Sequence, residues 1–129
     1  MTLSQVISGW AFANADLQYA LPSLEQMSID LDALHRRRDT LIPALRQMGL
    51  ETTMPEGTFY AMVRSPIPSD VEFSALLRRH GVLVLPGTLV EVPGWFRISL
   101  TANDDMVERG LEGFKRALDE VAAGRLPSA

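Results

Sequence analysis

The 129-residue sequence contains no cysteine, which excludes a disulfide framework and any cysteine-ligated zinc site. Histidine occurs twice, at His35 and His80, and these positions lack the close spacing that is typical of metal ligands. Lys115 is the only lysine, and it lies within a helical pattern near the C-terminus, away from any loop. We therefore expect no metal site, and we assign no catalytic or cofactor-binding residue to this sequence.

Clustered positive charge and long apolar runs are also missing. The net charge of −4 and the pI of about 5.1 disfavour nucleic-acid binding, which needs clustered lysine and arginine. Near the N-terminus charge is almost absent, but polar residues interrupt every apolar run well short of a membrane-spanning length. No basic segment of a secretion signal precedes these runs. The sequence thus predicts a cytoplasmic protein without nucleic-acid or membrane partners.

Apolar residues with helical spacing dominate the N-terminal part of the sequence. Within residues 3–13 they form a stripe that needs a covering surface, which predicts a helix and a homo-oligomer. From Leu24 to Met48, apolar residues recur in steps of three and four, which predicts one long helix kinked at Pro43, or two helices. Gly49 is expected to end this helical region.

The second part of the sequence alternates between strand and helix patterns. Three short apolar runs, at residues 58–63, 82–85 and 95–100, predict strands. Between the first two, Ser69 with Glu72 predicts a capped helix that closes at a glycine. A final helix follows the third strand, with Asn103 as its cap.

This order predicts an α+β fold in which helices cover one small mixed β-sheet. We assign residues 1–22 to an N-terminal helix and connecting loop, and residues 23–129 to one small domain. No glycine-rich phosphate loop follows a strand, which excludes Rossmann and P-loop domains. The apolar side of each element predicts a single core containing Phe59 or Tyr60, Leu76, Val82, Leu85, Ile98, Leu111, Phe114 and Leu118.

Arg97 is the most informative candidate for a site. It lies between Phe96 and Ile98 in the third strand, just after turns built on Pro86-Gly87 and Pro93-Gly94. Because a guanidinium is always charged and costly to bury alone, an arginine in such a strand usually has an anionic partner. Two readings stay open: a structural arginine paired with an acidic residue such as Glu91, Asp104 or Asp105, or a fork for a ligand carboxylate. For the fork we expect the guanidinium to lie at the edge of the sheet, facing an open concavity.

Four motifs together carry a resemblance to a known family. In sequence order they are Pro55-x-Gly57-x-Phe59-Tyr60, His80-Gly81-Val82, Pro86-Gly87 and Phe96-Arg97-Ile98-Ser99. This ordered set resembles the small C-terminal domain of class I/II aminotransferases, the fold-type I enzymes that use pyridoxal phosphate. The segment from Ser8 to Pro22 is similar to the stretch that precedes this domain in some bacterial members, so the resemblance covers nearly the whole chain.

The resemblance implies a role for Arg97 and candidate neighbours for it. In the family the corresponding arginine binds the α-carboxylate of the amino-acid or 2-oxo-acid substrate. Gly57, Tyr60, Pro86 and Gly87 are candidate cleft-lining residues. Gly57 is also expected to be a turn glycine with a positive φ. The family's pyridoxal phosphate is held as a Schiff base on a lysine of a separate large domain, which would precede Met1. We therefore expect no cofactor to bind this chain alone.

The function implied is that of the small-domain portion of an aminotransferase, inactive alone and completed by a cofactor-binding large domain in trans. The family often has phenylalanine and glycine where this sequence has Leu89-Val90, so the substrate preference is left open. An alternative is a stand-alone, non-catalytic module for ligand binding or protein interaction derived from that domain. A third is a structural α+β domain whose Arg97 is paired internally. Whether the chain is itself an enzyme is left open.

Overall fold

The computed structural model describes residues 15–25 and 27–125. The chain divides into two compact units, Met1–Asp30 and Leu31–Ala129. In the first unit the described residues form helix α1, Ala15–Leu24, which is largely exposed and contains Pro22. The helix predicted over residues 3–13 lies outside the described residues.

The second unit holds the other elements, and their order agrees with the sequence prediction. They are α2 (Leu31–Gln47), β1 (Tyr60–Arg64), α3 (Asp70–Arg79), β2 (Leu85–Pro86), a 3-10 turn (Gly87–Val90), β3 (Trp95–Ser99) and α4 (Asp104–Ala122). The predicted α+β class is confirmed. None of the helices among the described residues is long and apolar enough to cross a membrane.

The three strands form one sheet with β3 in the middle, in the order β1-β3-β2. Both strand pairs are antiparallel, so the described sheet is not mixed in direction as predicted. Along β3, Phe96 and Ile98 are buried, whereas Trp95, Arg97 and Ser99 are not. Because side chains alternate along a strand, one face of the sheet packs on the helices and the other carries Arg97. We call this second surface the open face.

The core of the second unit lies between its own helices and the covered face of the sheet. Phe96 is fully buried there, with its ring centroid 5.5 Å from that of Phe73 on α3 and 6.0 Å from that of Phe114 on α4. Of the predicted core residues, Leu76, Val82, Ile98 and Phe114 are confirmed, and Leu111 and Leu118 pack against them while partly buried. Phe59, Tyr60 and Leu85 are not part of this core, and Phe59 is 40% exposed.

The helix predicted from Leu24 to Met48 is shorter at its N-terminal end. Leu24 ends α1, and α2 begins only at Leu31, after Asp30, a residue type that favours helix starts. Met27, which the helical spacing had included, is 73% exposed. The helix continues through Pro43 and ends before Gly49, whose φ of 88° matches the predicted stop.

The helix caps were predicted correctly, but one strand was not. Ser69 accepts a hydrogen bond from the Glu72 amide at 3.1 Å, and Asn103 accepts one from the Met106 amide at 2.8 Å. The strand predicted over residues 82–85 is reduced to Leu85–Pro86. Within the described residues no backbone hydrogen bond joins Leu83 to β3, so the ladder opens there. An apolar cavity of about 180 Å³ lies at this opening.

Candidate functional site

Arg97 lies on the open face of the sheet, in the middle strand. It pairs with Met62 of β1 on one side and with Leu85 of β2 on the other. Its side chain is partly buried. The expectation that this arginine lies at the edge of the sheet was therefore wrong, because β2 returns to pair with β3 on its outer side.

The Arg97 guanidinium lies against the ring of Tyr60. Its Cζ atom is 4.0 Å from the ring centroid, a cation–π contact. Tyr60 pairs with Ser99, so it is the diagonal neighbour of Arg97 on the same face. The Phe59 ring in turn lies 4.4 Å from the Tyr60 ring, centroid to centroid. The alternation of faces was expected to place one of these two rings in the core, but neither ring is there.

Among the described residues no carboxylate pairs with Arg97. Asp104, one of its three predicted partners, pairs instead with Arg37 at 3.0 Å. Arg64, which lies on the same face, is paired with Glu51 at 3.0 Å. The described part of the chain thus leaves the positive charge of Arg97 without an acidic partner, and the reading of an internally paired arginine gains no support.

The turn that leads from β2 into the 3-10 segment is tightly packed. Gly87 is buried, and a Cβ at this position would collide with the carbonyl oxygens of Val92 and Trp95. A side chain of any size is therefore excluded here. Pro86 pairs with Phe96 of the middle strand, so this turn is next to the strand that carries Arg97.

A buried carboxylate also holds this turn in place. Asp70, at the start of α3, accepts hydrogen bonds from the amide and the hydroxyl of Thr88, both at 2.7 Å. Burial acts to raise the pKa of Asp70, but hydrogen bonds from Thr88 and from the Gly94 amide outweigh it and lower the pKa. Asp70 is thus ionised and holds the segment between the two Pro-Gly turns.

The predicted cleft-lining residues differ in where they lie. Tyr60 contacts Arg97. Pro86 pairs with β3, the strand that carries Arg97, and Gly87 follows Pro86 directly. Gly57 is exposed in the bend before β1, with nothing near the position of an added Cβ. Its expected positive φ was wrong, since that conformation belongs to Thr58, at 63°.

Sequence reasoning missed Asp70 and Thr88. They are 18 positions apart, and no local pattern links them. The only signal was an acidic residue directly after the helix cap, which ordinary dipole compensation explains equally well.

Other candidate groups lie away from Arg97. Lys115 is exposed on α4, whose Phe114 packs on Phe96 at the covered face, so the sheet separates this lysine from the open face. In the described ranges no cluster of histidine and acidic side chains could hold a metal ion. His80 forms a 3.0 Å contact with Glu120, which joins the ends of α3 and α4.

Comparison with known proteins gives a consistent result. The family model "Aminotransferase class I and II" matches residues 6–114. A probable aspartate/prephenate aminotransferase of Thermus aquaticus is 34% identical over 119 residues, covering 91% of this chain and 31% of that protein. An LL-diaminopimelate aminotransferase of Dehalococcoides mccartyi is 37% identical over 91 residues, covering 64% of this chain and 23% of that protein.

A solved structure agrees with this. The aspartate aminotransferase of Thermotoga maritima matches with a TM-score of 0.72 and 28% identity, over 82% of this chain and 29% of that protein. The chain thus spans less than a third of the length of these relatives. The family match covers most of the sequence, and the chain belongs to the class I and II aminotransferases.

Proposed function

We propose that this chain is the small-domain portion of an aminotransferase, with residues 23–129 as that domain. In this proposal Arg97 binds the α-carboxylate that amino acids and 2-oxo acids share. The observation that carries it is a partly buried guanidinium on the open face, without an acidic partner in the described residues. Such a group favours a bidentate anion, and a carboxylate fits its fork.

The relatives support this substrate class. They are aspartate/prephenate and LL-diaminopimelate aminotransferases, whose amino-acid substrates differ in the side chain. An arginine that recognises the α-carboxylate would serve each of them equally. The exposed Leu89 and Val90 at the tip of the 3-10 turn are our candidates for contacts that depend on the side chain of the substrate.

Aminotransferases of this family depend on pyridoxal phosphate, and the described residues do not fit as a site for it. The cofactor is bound through a lysine, and Lys115 is exposed on the helix side of the sheet, away from Arg97. The proposed site therefore needs a lysine from outside these 129 residues. A cofactor-binding large domain is the partner we propose.

The carboxylate role is tested by titrating the chain with L-alanine and with L-alaninamide, which lacks the carboxylate, while following the NMR signals of the open face. We expect L-alanine to shift the Arg97 side-chain signals and L-alaninamide not to shift them. Arg97→Leu should abolish the effect. Arg97→Lys should restore only part of it, because lysine lacks the planar fork.

Arg64→Leu is the matched control. It removes an arginine from the same face of the sheet, but one that is already paired with Glu51. Equal loss of L-alanine binding in the Arg64 and Arg97 variants would show that only net charge matters and would contradict the proposal.

A stand-alone binding module is the second candidate, because a free guanidinium on an open face can bind a carboxylate without any cofactor. A lysine-bearing pyridoxal-phosphate domain in the same protein, or encoded beside it, would favour the aminotransferase. If the chain binds L-alanine and its cell encodes no such domain to pair with the chain, the binding module is favoured.

A further inference from the structure

We infer that Tyr60 is a positioning residue that holds the Arg97 side chain ready for a carboxylate. The inference deepens the proposed function, since it concerns the same site. Its structural part, that the ring orders the arginine, does not depend on which ligand binds.

The sheet register brings the two residues together. Tyr60 of β1 is opposite Ser99, two positions along β3 from Arg97, so both side chains rise from the same face. At this diagonal separation a long side chain reaches an aromatic ring, and the Arg97 Cζ atom lies 4.0 Å from the Tyr60 centroid. The contact follows from strand pairing and does not require a mobile loop.

An aromatic ring can hold a cation and still leave the hydrogen-bond donors of that cation free. A carboxylate neighbour would attract Arg97 but would also occupy its fork, whereas a ring attracts the cation through its face. Arg97 makes no hydrogen bond or ion pair with another described side chain. Tyr60 thus replaces the structural partner that a partly buried arginine usually has.

The Tyr60 ring also contacts a second aromatic ring. The Phe59 ring packs against Tyr60 at 4.4 Å between centroids, tilted by 49°. This contact restricts the directions in which the Tyr60 ring can turn. An arginine has several rotatable bonds, and fixing them before a ligand arrives reduces the entropy lost on binding.

The experiment measures the order of the Arg97 side chain by the heteronuclear NOE of the Arg97 Nε–H group. The signal of this group is assigned because it is missing from the spectrum of Arg97→Leu. In the wild-type chain we expect an ordered group, with side-chain protons shifted upfield by the Tyr60 ring. Tyr60→Phe keeps the ring and should retain both signatures. Tyr60→Leu and Tyr60→Thr should lose both, and circular dichroism checks that each variant is folded.

L-alanine titration then measures the effect on binding. Loss of the ring should weaken binding roughly two- to fivefold, as expected for a cation–π contact at a partly exposed site. Trp95→Leu removes an aromatic ring from the same strand and face as Arg97, and it should leave the NOE of Arg97 unchanged.

The outcomes separate this inference from the proposed function. A disordered Arg97 in the wild-type chain, or an NOE that Tyr60→Leu does not reduce, would overturn the inference even where L-alanine binds. If Arg97 loses its order in Tyr60→Leu but L-alanine binds equally well to wild type and Arg97→Leu, the ordering role holds and the proposed function fails.

Discussion

The Asp70 carboxylate connects parts of the chain that the sequence does not show to be neighbours. It is 4% exposed and accepts hydrogen bonds from the amide and the hydroxyl of Thr88, which tie the start of α3 to the turn after β2. Because its pKa is lowered in the folded state, its contribution to stability is fully present above the ordinary carboxyl pKa of about 4. It is lost as the pH falls through the lower pKa of the folded state.

Asp70→Asn should therefore destabilise the chain by about 1–3 kcal/mol at neutral pH, since an amide cannot accept hydrogen bonds as the ionised carboxylate does. Urea unfolding between pH 3 and pH 7, at roughly one-unit steps, should show a smaller acid loss of stability in this variant than in the wild type. Asp105→Asn, in the exposed first turn of α4, is the control and should change stability little. Identical pH profiles for Asp70→Asn and wild type would refute the argument.

At the scale of the element, α4 contains two glycines with opposite surroundings. Gly110 has no atom within 4 Å of the position of an added Cβ, and it borders the apolar cavity beside the opened ladder. Gly113 is buried, and an added Cβ would collide with Val82 and lie 2.8 Å from the His80 carbonyl oxygen. The same helix therefore has one glycine that costs stability and one that the packing requires.

Gly110→Ala should stabilise the chain by about 0.5–1 kcal/mol, because alanine loses less backbone entropy in a helix. Gly113→Ala should destabilise it by about 1–3 kcal/mol, because the segment after α3 must move away from the helix. Chemical denaturation of both variants under the same conditions makes each the control for the other. Stabilisation by both substitutions would show that α4 does not pack on Val82 as described.

At the scale of the whole molecule, periodicity and caps were enough to predict most elements, because they depend on residues close in sequence. Asn103 and Ser69 are examples, since each caps a helix through a bond to a residue three positions away. The contact between Arg97 and Tyr60 depends instead on strand register, which no local pattern gives. The same holds for the shortened β2, because Val82, Leu83 and Val84 suit a strand but line a cavity where the ladder opens.

The last prediction tests the role of Arg97 within a full-length relative. A chimera in which this chain replaces the matching 119 residues of the Thermus aquaticus relative would join Arg97 to a cofactor-binding part. Arg97→Leu should then lower kcat/KM for amino-acid substrates at least about tenfold, which is the scale of a hydrogen bond to a charged group. Arg97→Lys should recover part of the loss, and the visible absorbance of bound pyridoxal phosphate should stay the same in all variants.

The isolated chain provides the necessary comparison. A Schiff base at Lys115 would give a stoichiometric absorbance band that Lys115→Ala removes. When the isolated chain is mixed with pyridoxal phosphate we expect no such band, because Lys115 is exposed on the helix side of the sheet. A chimera with normal cofactor absorbance and full kcat/KM after Arg97→Leu would exclude Arg97 as the carboxylate ligand. The absorbance measures whether the cofactor is bound, and kcat/KM measures how well the substrate is used. The two measurements together therefore distinguish a lost contact with the substrate from a chimera that does not assemble.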